Sequence, residues 1–268
     1  MITVEGVSAD PIRAVWETDL RLIACLEITY HGDAEIDLQD GQAMPAVAIG
    51  EPGNLQKLAG YTIHRVHSRE RIVVLAHEFG GAWRDRNRAL FPGPRESALR
   101  RLLGQHGESV DRIDAPGGQQ LYAQHESDVA FLHRLAASTP VWRDGQGRVN
   151  ISAPPRVEVQ DVIDYRPAAG PTRRYVAAGI TPDGDAFEVA AGAGQTVRVA
   201  EVFHSPAEAR DHIERLVRYE ARGRLTALGQ AGVRAGCTVI LPDGQEHLVT
   251  RAVHEVVGAS WKVTCSLV

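Results

Sequence analysis

The strongest constraint on this chain is a change of hydrophobic period. Two outer tracts alternate every second residue, and the tract between them repeats every three to four. In the inner tract, His125 to Leu135 reads His-Glu-Ser-Asp-Val-Ala-Phe-Leu-His-Arg-Leu. Ser127 is placed to cap a helix, and Asp128 sits at the positive end of its dipole. Phe131, Leu132, Leu135 and Ala136 form one apolar face, which predicts a core helix without chemistry of its own. A second helix is predicted over Glu96 to His106, with Ala98, Leu99, Leu102 and Leu103 inward and Gly107 ending it. The linker Ala115-Pro-Gly-Gly joins the two, and Val141 to Ser152 folds back as a hairpin on the Asp144 to Gly147 turn. No βαβ alternation repeats, so this is an α+β insertion and not a doubly wound sheet.

The outer tracts read as antiparallel strands. Candidates on the amino-terminal side are Ile2 to Gly6, Leu22 to Tyr30, Ala34 to Leu38 and Ala46 to Ile49. Turns fall at Gly32-Asp33, Asp40-Gly41 and Pro52-Gly53-Asn54. Tyr61 to His67 and Arg71 to Phe79 flank Ser68-Arg-Glu as a hairpin, and Trp83 to Pro94 is irregular. After Pro154-Pro155 the candidates are Val157 to Tyr165, Arg173 to Ile180 and Ala186 to Ala190, with a Thr181-Pro-Asp-Gly turn. Ser205-Pro-Ala-Glu starts a helix with Ala209, Ile213, Leu216 and Val217 inward, and Gly223 is expected to end it. A meander follows: Cys237 to Leu241, His247 to Val256 and Trp261 to Leu267. The expected fold is a β-rich α+β one, with two small antiparallel β-barrel-like domains flanking an α+β insertion domain. The boundaries are 1–84, 85–156 and 157–268, the last with a helix at 206–222. No sequence repeat relates the two β units.

Composition narrows the function classes. The 268 residues are 44% apolar and 24% charged, with a net charge of −5, which lacks the basic footprint of a nucleic-acid binder. Cys25, Cys237 and Cys265 lie far apart and read as apolar fillers in a reducing compartment. No apolar run reaches the length of a membrane span, and no signal pattern opens the chain.

Candidate chemistry is sparse. His64-x-x-His67 lies in a strand pattern that sends the rings to opposite faces, against a metal role. His77-Glu78 lacks the second histidine of a metalloprotease helix. Gly192-Ala-Gly-Gln-Thr lacks the lysine of a phosphate loop and reads as a turn. Arg84, Arg86, Arg88, Arg95, Arg100 and Arg101 form a positive cluster, read as a solvated helix face. No cysteine has a histidine partner in a recognised arrangement, and no catalytic, cofactor-binding or metal residue is assigned.

The wording of the central helix, Glu126-Ser-Asp-Val-Ala-Phe-Leu-x-Arg-Leu135 followed by strand, glycine turn and strand, resembles the late control gene D family of tailed phages. These are baseplate hub proteins, similar in fold to the amino-terminal part of the type VI secretion spike VgrG. The Gly60 to Phe79 hairpin and the Ser205 to Val268 block are similar too, through Ser205-Pro-Ala-Glu-Ala, Ala235-Gly-Cys-Thr-Val and Val249-Thr-Arg-Ala-Val-His. Residues 1–60 share only strand character with it. The resemblance implies a non-enzymatic homotrimer whose paired barrels form a pseudo-sixfold ring in the virion tail baseplate, made and assembled in the host cytoplasm. Its implied partners are the central spike protein, a tail tube or distal tail protein, the tape measure protein and other baseplate proteins. DNA would pass transiently through a channel expected to be acidic or neutral. Two other classes compete: a β-scaffold hydrolase or metalloenzyme using His64, His77 or His254, and a carbohydrate- or peptide-binding module.

Overall fold

A computed structural model describes residues 1–20, 23–51, 53–68, 70–115, 121–137, 139–167, 173–218, 220 and 223–268. Leu22, Pro52, Arg69 and the glycines of the 115–118 linker, all used above, lie outside these residues. Strand pairing is organised by one ten-stranded sheet. Its main path uses Arg13–Asp19 (β1), Cys25–His31 (β2), Thr62–Ser68 (β3), Arg71–His77 (β4), Val162–Arg166 (β5), Gly223–Leu228 (β6), Glu246–Val257 (β7) and Ser260–Leu267 (β8). The order is β5-β6-β8-β7-β1-β2-β4-β3, and every neighbouring pair is antiparallel.

The two outer tracts therefore share one sheet, joined at a β1·β7 seam that runs from Arg13 opposite Val257 to Asp19 opposite Arg251. On each side of the seam come a hairpin and then a further antiparallel pair. The amino-terminal half places its first hairpin, β1-β2, at the seam; the carboxy-terminal half places its last, β7-β8, there. The fold is β-rich α+β, and among the described residues no strand order closes on itself.

One face of this sheet is covered. Trp16, Leu26, Ile28, Tyr30, Val74 and Ala76 pack beneath a small sheet of Ile2–Val4, Val47–Glu51 and Asn54–Leu58. Val256 and Trp261 join the same core from across the seam. Leu225, Val249, Val263, Cys265 and Leu267 pack with Val239 and Val157 in the other half. Burying side chains of this size contributes about 1.5–3 kcal/mol each, which fixes the inward register of both halves.

The insertion has its own core. Arg95–Gln105 (α1) and Asp128–Ala136 (α2) bury Leu99, Leu102, Leu103, Phe131, Leu132 and Leu135 against Val149 and Ile151. Phe79 and Trp83 belong to this core as well. Ser127 caps α2 by accepting from the Ala130 amide, and Gly107 takes φ +66° just past α1. In the last unit, Arg173–Ile180, Ala186–Gly192 and Gln195–Phe203 form a separate sheet covered by Pro206–Arg218 (α3), through Tyr175, Ala177, Phe203, Ala209 and Ile213. The Ser205 hydroxyl accepts from the Glu208 amide at 3.1 Å, as the capping motif predicts.

Several expectations need correction. Ala34 to Leu38 joins no strand, although Ala34, Ile36 and Leu38 still turn toward the core. The helix expected over 206–222 ends at Arg218: Glu220 is outside it with its amide on the Val217 carbonyl, and Gly223 opens β6 opposite Leu267 instead of capping the helix. Trp83 to Pro94 is not wholly irregular, since Ala89–Pro92 pairs with Leu121–Gln124. Five further strands went unread among the described residues: Arg13–Asp19, Asn54–Leu58, Val110–Ile113, Leu121–Gln124 and Gln195–Phe203. The first carries Arg13, Glu17 and Asp19 on its uncovered side, which hides its inward Ala14 and Trp16 from a hydropathy scan.

Gly229 tests the packing at the seam. A Cβ there would lie 2.0 Å from the Trp261 indole, a ring held by its hydrogen bond to His254. Gly229→Ala should cost at least about 1–3 kcal/mol, read as a lower urea midpoint with an unchanged slope.

Candidate functional site

Among the described residues no layer packs over the second face of the large sheet. Along it stand Arg13, Glu17, Glu27, Arg71, His77, Arg224, Arg251, Glu255 and Lys262, all half-buried or exposed. Strand alternation puts them there, because the same strands send Trp16, Ile28, Val256 and Val263 inward. Near the seam the charges are paired. Arg13 reaches Glu27 at 2.7 Å and Glu255 at 3.0 Å, and Arg251 reaches Glu17 at 2.7 Å. Lys262 lies 3.9 Å from Glu255. Such exposed pairs add little stability, but they leave the centre of the face close to neutral. Toward the rims the sign turns mildly basic, with Arg65 and Arg71 on one side and Arg166 and Arg224 on the other.

Behind this face lies a buried polar junction that the sequence reading missed. Arg143, on the insertion hairpin, donates to both Glu108 carboxylate oxygens at 2.7 Å and to the Gly147 carbonyl. Its guanidinium stacks over Phe79 and stands 4.0 Å from the Glu78 carboxylate. Arg234 donates to the Arg143 carbonyl at 2.6 Å and lies over Trp142 and Trp16. Trp16 in turn donates to the Tyr61 hydroxyl at 2.8 Å. Burial pushes Glu78 up, against the pull of Arg143 and Arg234. Burial also lowers Arg143, but the Glu108 hydrogen bond and the two carboxylate charges outweigh it and hold the guanidinium charged. The remaining cavity, about 20 Å³, has room for one water. The junction clasps the insertion to both halves of the sheet.

From Glu108 the network continues to Trp83, which donates at 3.1 Å and stacks on His106. His106 contacts Asp128 at 2.7 Å, so the acidic first turn of α2 is wired into the clasp. At the seam, His254 is fixed in one tautomer. Its Nε2 faces the Val233 carbonyl at 2.7 Å and must donate; its Nδ1 receives the Trp261 indole N–H at 3.1 Å and must accept. The ring is therefore neutral, and burial pushes its pKa down to about 4.

Of the residues weighed for chemistry, the structure gathers His64 and Cys25 around His77 and leaves His254 apart. A bulge at His64 resets the alternation, so His64 and His67 do not point to opposite faces. His64 lies against His77, and His67 pairs with Val73 in the file that contains His77. The structure also brings Cys25 to His77, Sγ to Nδ1 3.4 Å, a pair the sequence did not suggest. Burial raises the thiol and pushes His77 down to about 4, so both groups are held neutral, opposite to the polarity of a reactive thiolate–imidazolium pair. Among the described residues no three His, Cys, Asp or Glu side chains are grouped to hold a metal. Gly192 and Gly194 make the turn into Gln195–Phe203. The arginine cluster is spread over several elements: Arg100 pairs with Glu96, and Arg101 lies over Phe91.

No family model matches this chain, and no curated protein does. Solved structures do. The 43 kDa tail protein of prophage MuSo2 from Shewanella oneidensis aligns over 100% of this chain and 97% of its own, at TM-score 0.63 and 14% identity. A tail protein of Neisseria meningitidis aligns over 99% and 94%, at TM-score 0.65 and 12% identity. An Escherichia coli type VI secretion component, described as structurally similar to the phage T4 tail proteins gp27 and gp5, aligns over 100% and 76%, at TM-score 0.64 and 11% identity. The chain therefore shares the fold of phage tail and type VI secretion proteins.

Two measurements check the junction and the seam. Arg143→Met removes the guanidinium between the buried Glu78 and the half-buried Glu108 and should cost about 3–5 kcal/mol; adding Glu108→Gln should recover part of the loss in chemical denaturation. For His254 the unfolded ring titrates at 6.5 and the folded one at about 4. Between these values the unfolded chain binds more protons, so stability should fall as pH drops through that window. His254→Gln keeps both hydrogen bonds, and its stability loss between pH 7 and pH 4.5 should be smaller by about 1–3 kcal/mol.

Proposed function

We propose that this chain is a structural protein of a phage tail or a related injection machine, a baseplate hub that closes as a trimeric ring between the sixfold tail tube and the threefold central spike. The observation that carries this reading is the sheet order. Four strands lie on each side of the β1·β7 seam, in matching hairpin-then-pair arrangement. A chain with two comparable β units lets three copies present six, which reconciles a sixfold partner with a threefold one by duplication inside the subunit. The contacts between copies would be heterologous and close after three steps. The tail-protein folds above support the same assignment.

In this reading 1–84 and 157–268 are the two tube domains, 85–156 is a lateral insertion, and the uncovered sheet face lines the channel. Its paired charges near the seam give a phosphate backbone no run of cations to grip. The tape measure protein and DNA could then pass without adhering, while the spike, the tube or distal tail protein and other baseplate proteins dock on the ring's two ends and rim. The work is positional, and no residue is assigned a catalytic role.

Co-expression with the tube and spike proteins of the same gene cluster, followed by native mass spectrometry, tests the proposal. The expected species contains three copies of this chain per spike trimer. A complex with one copy, or a ring whose uncovered sheet faces outward in electron microscopy, would overturn it.

A further inference from the structure

Ala34 to Leu38 is written as a strand and left unpaired. Ala34, Ile36 and Leu38 pack toward the core of the first half while Glu35 and Asp37 are exposed, the period of an extended strand. Among the described residues, the backbone amides and carbonyls of Glu35, Ile36, Asp37 and Leu38 make no hydrogen bond. Across from them runs Glu5 to Ser8, continuing from the edge strand Ile2–Val4 and anchored by Val7 on the same core. Between the two segments, with Pro45 at one end, is an open groove of about 400 Å³. Its lips carry Glu5, Glu35 and Asp37, and among the described residues no ion pair is formed by any of the three.

We infer that this groove receives an extended segment of another protein chain, which adds as a strand along Glu35 to Leu38 and carries lysine or arginine at alternate positions. The backbone supplies the first half of the argument. A row of four unpaired residues that already keeps strand alternation is a template for strand addition, in which main-chain hydrogen bonds give affinity and alternate side chains give selectivity. Four to five residues span about 13–17 Å at strand rise, a length these lips can hold. Charge supplies the second half. Cationic side chains opposite Glu35 and Asp37 would form cross-strand pairs on the exposed face, whereas the same carboxylates repel a phosphate backbone. The occupant is thus a basic protein strand and not a nucleic acid. The inference does not depend on the trimeric ring.

The test uses the full chain and an acetylated, amidated seven-residue peptide of alternating lysine and valine. Hydrogen exchange across 35–38 should be fast in the chain alone and at least tenfold slower with saturating peptide. Glu35→Lys combined with Asp37→Lys should weaken peptide binding at least tenfold while leaving the melting temperature unchanged, and an alternating glutamate–valine peptide should not bind. Protection of 35–38 in the chain alone, absence of saturable binding, or equal binding by the double variant would each overturn the inference.

Discussion

The rest of the structure hangs on the pairing of Arg13–Asp19 with Glu246–Val257. Without it the two β units would each present a bare edge, and their cores would be separate. With it, Trp16 and His254 stand opposite each other in register, 4.8 Å between ring centroids, and Trp261 crosses from the far half into the near core. His254 is closed off on both nitrogens by groups of fixed polarity. That arrangement leaves the seam no freedom to slip by one residue, since a slip would turn either Trp16 or the His254–Trp261 pair to the solvent side.

Onto this seam the insertion is fastened by charge and not by apolar area alone. Arg234 reaches from the second half to the Arg143 carbonyl, and Arg143 reaches Glu108 of the insertion and Glu78 at the end of β4. Buried ion pairs of this kind seldom add net stability over a hydrophobic replacement, because desolvation cancels most of the attraction. Their directional hydrogen bonds do fix an angle. For a protein proposed to meet partners at both ends of a ring, a fixed angle between sheet and insertion matters more than a gain in free energy.

What could be read in the sequence follows from which residues carry a local signal. The α2 cap, the Ser205 capping motif and the alternation of Trp261 to Leu267 rest on neighbours within a few positions, and all three stand as read. The Arg13–Asp19 strand was invisible because its outward side is charged and its inward side begins with a small Ala14. Asn54–Leu58 hid for a related reason: buried Gln56 spends its amide oxygen on the Gly232 amide, a partner far away in sequence. The polar junction could not be seen at all, since Glu78, Glu108, Arg143 and Arg234 come from four separate stretches that only the fold brings together. His64 was misjudged for want of one bulge, which no residue type announces.

The seam also sets an order of events during synthesis. Arg13 and Glu255, joined across it, are 242 positions apart. While the chain is being made, the first hairpin must wait for nearly all the remaining residues before its open flank is covered. Closing so distant a contact is slow, and a nascent first half would offer neighbouring nascent chains a ready strand to pair with. Arg13, Glu17 and Asp19 on that waiting strand then serve a second purpose: charged side chains along an open edge discourage premature association until the correct strand arrives.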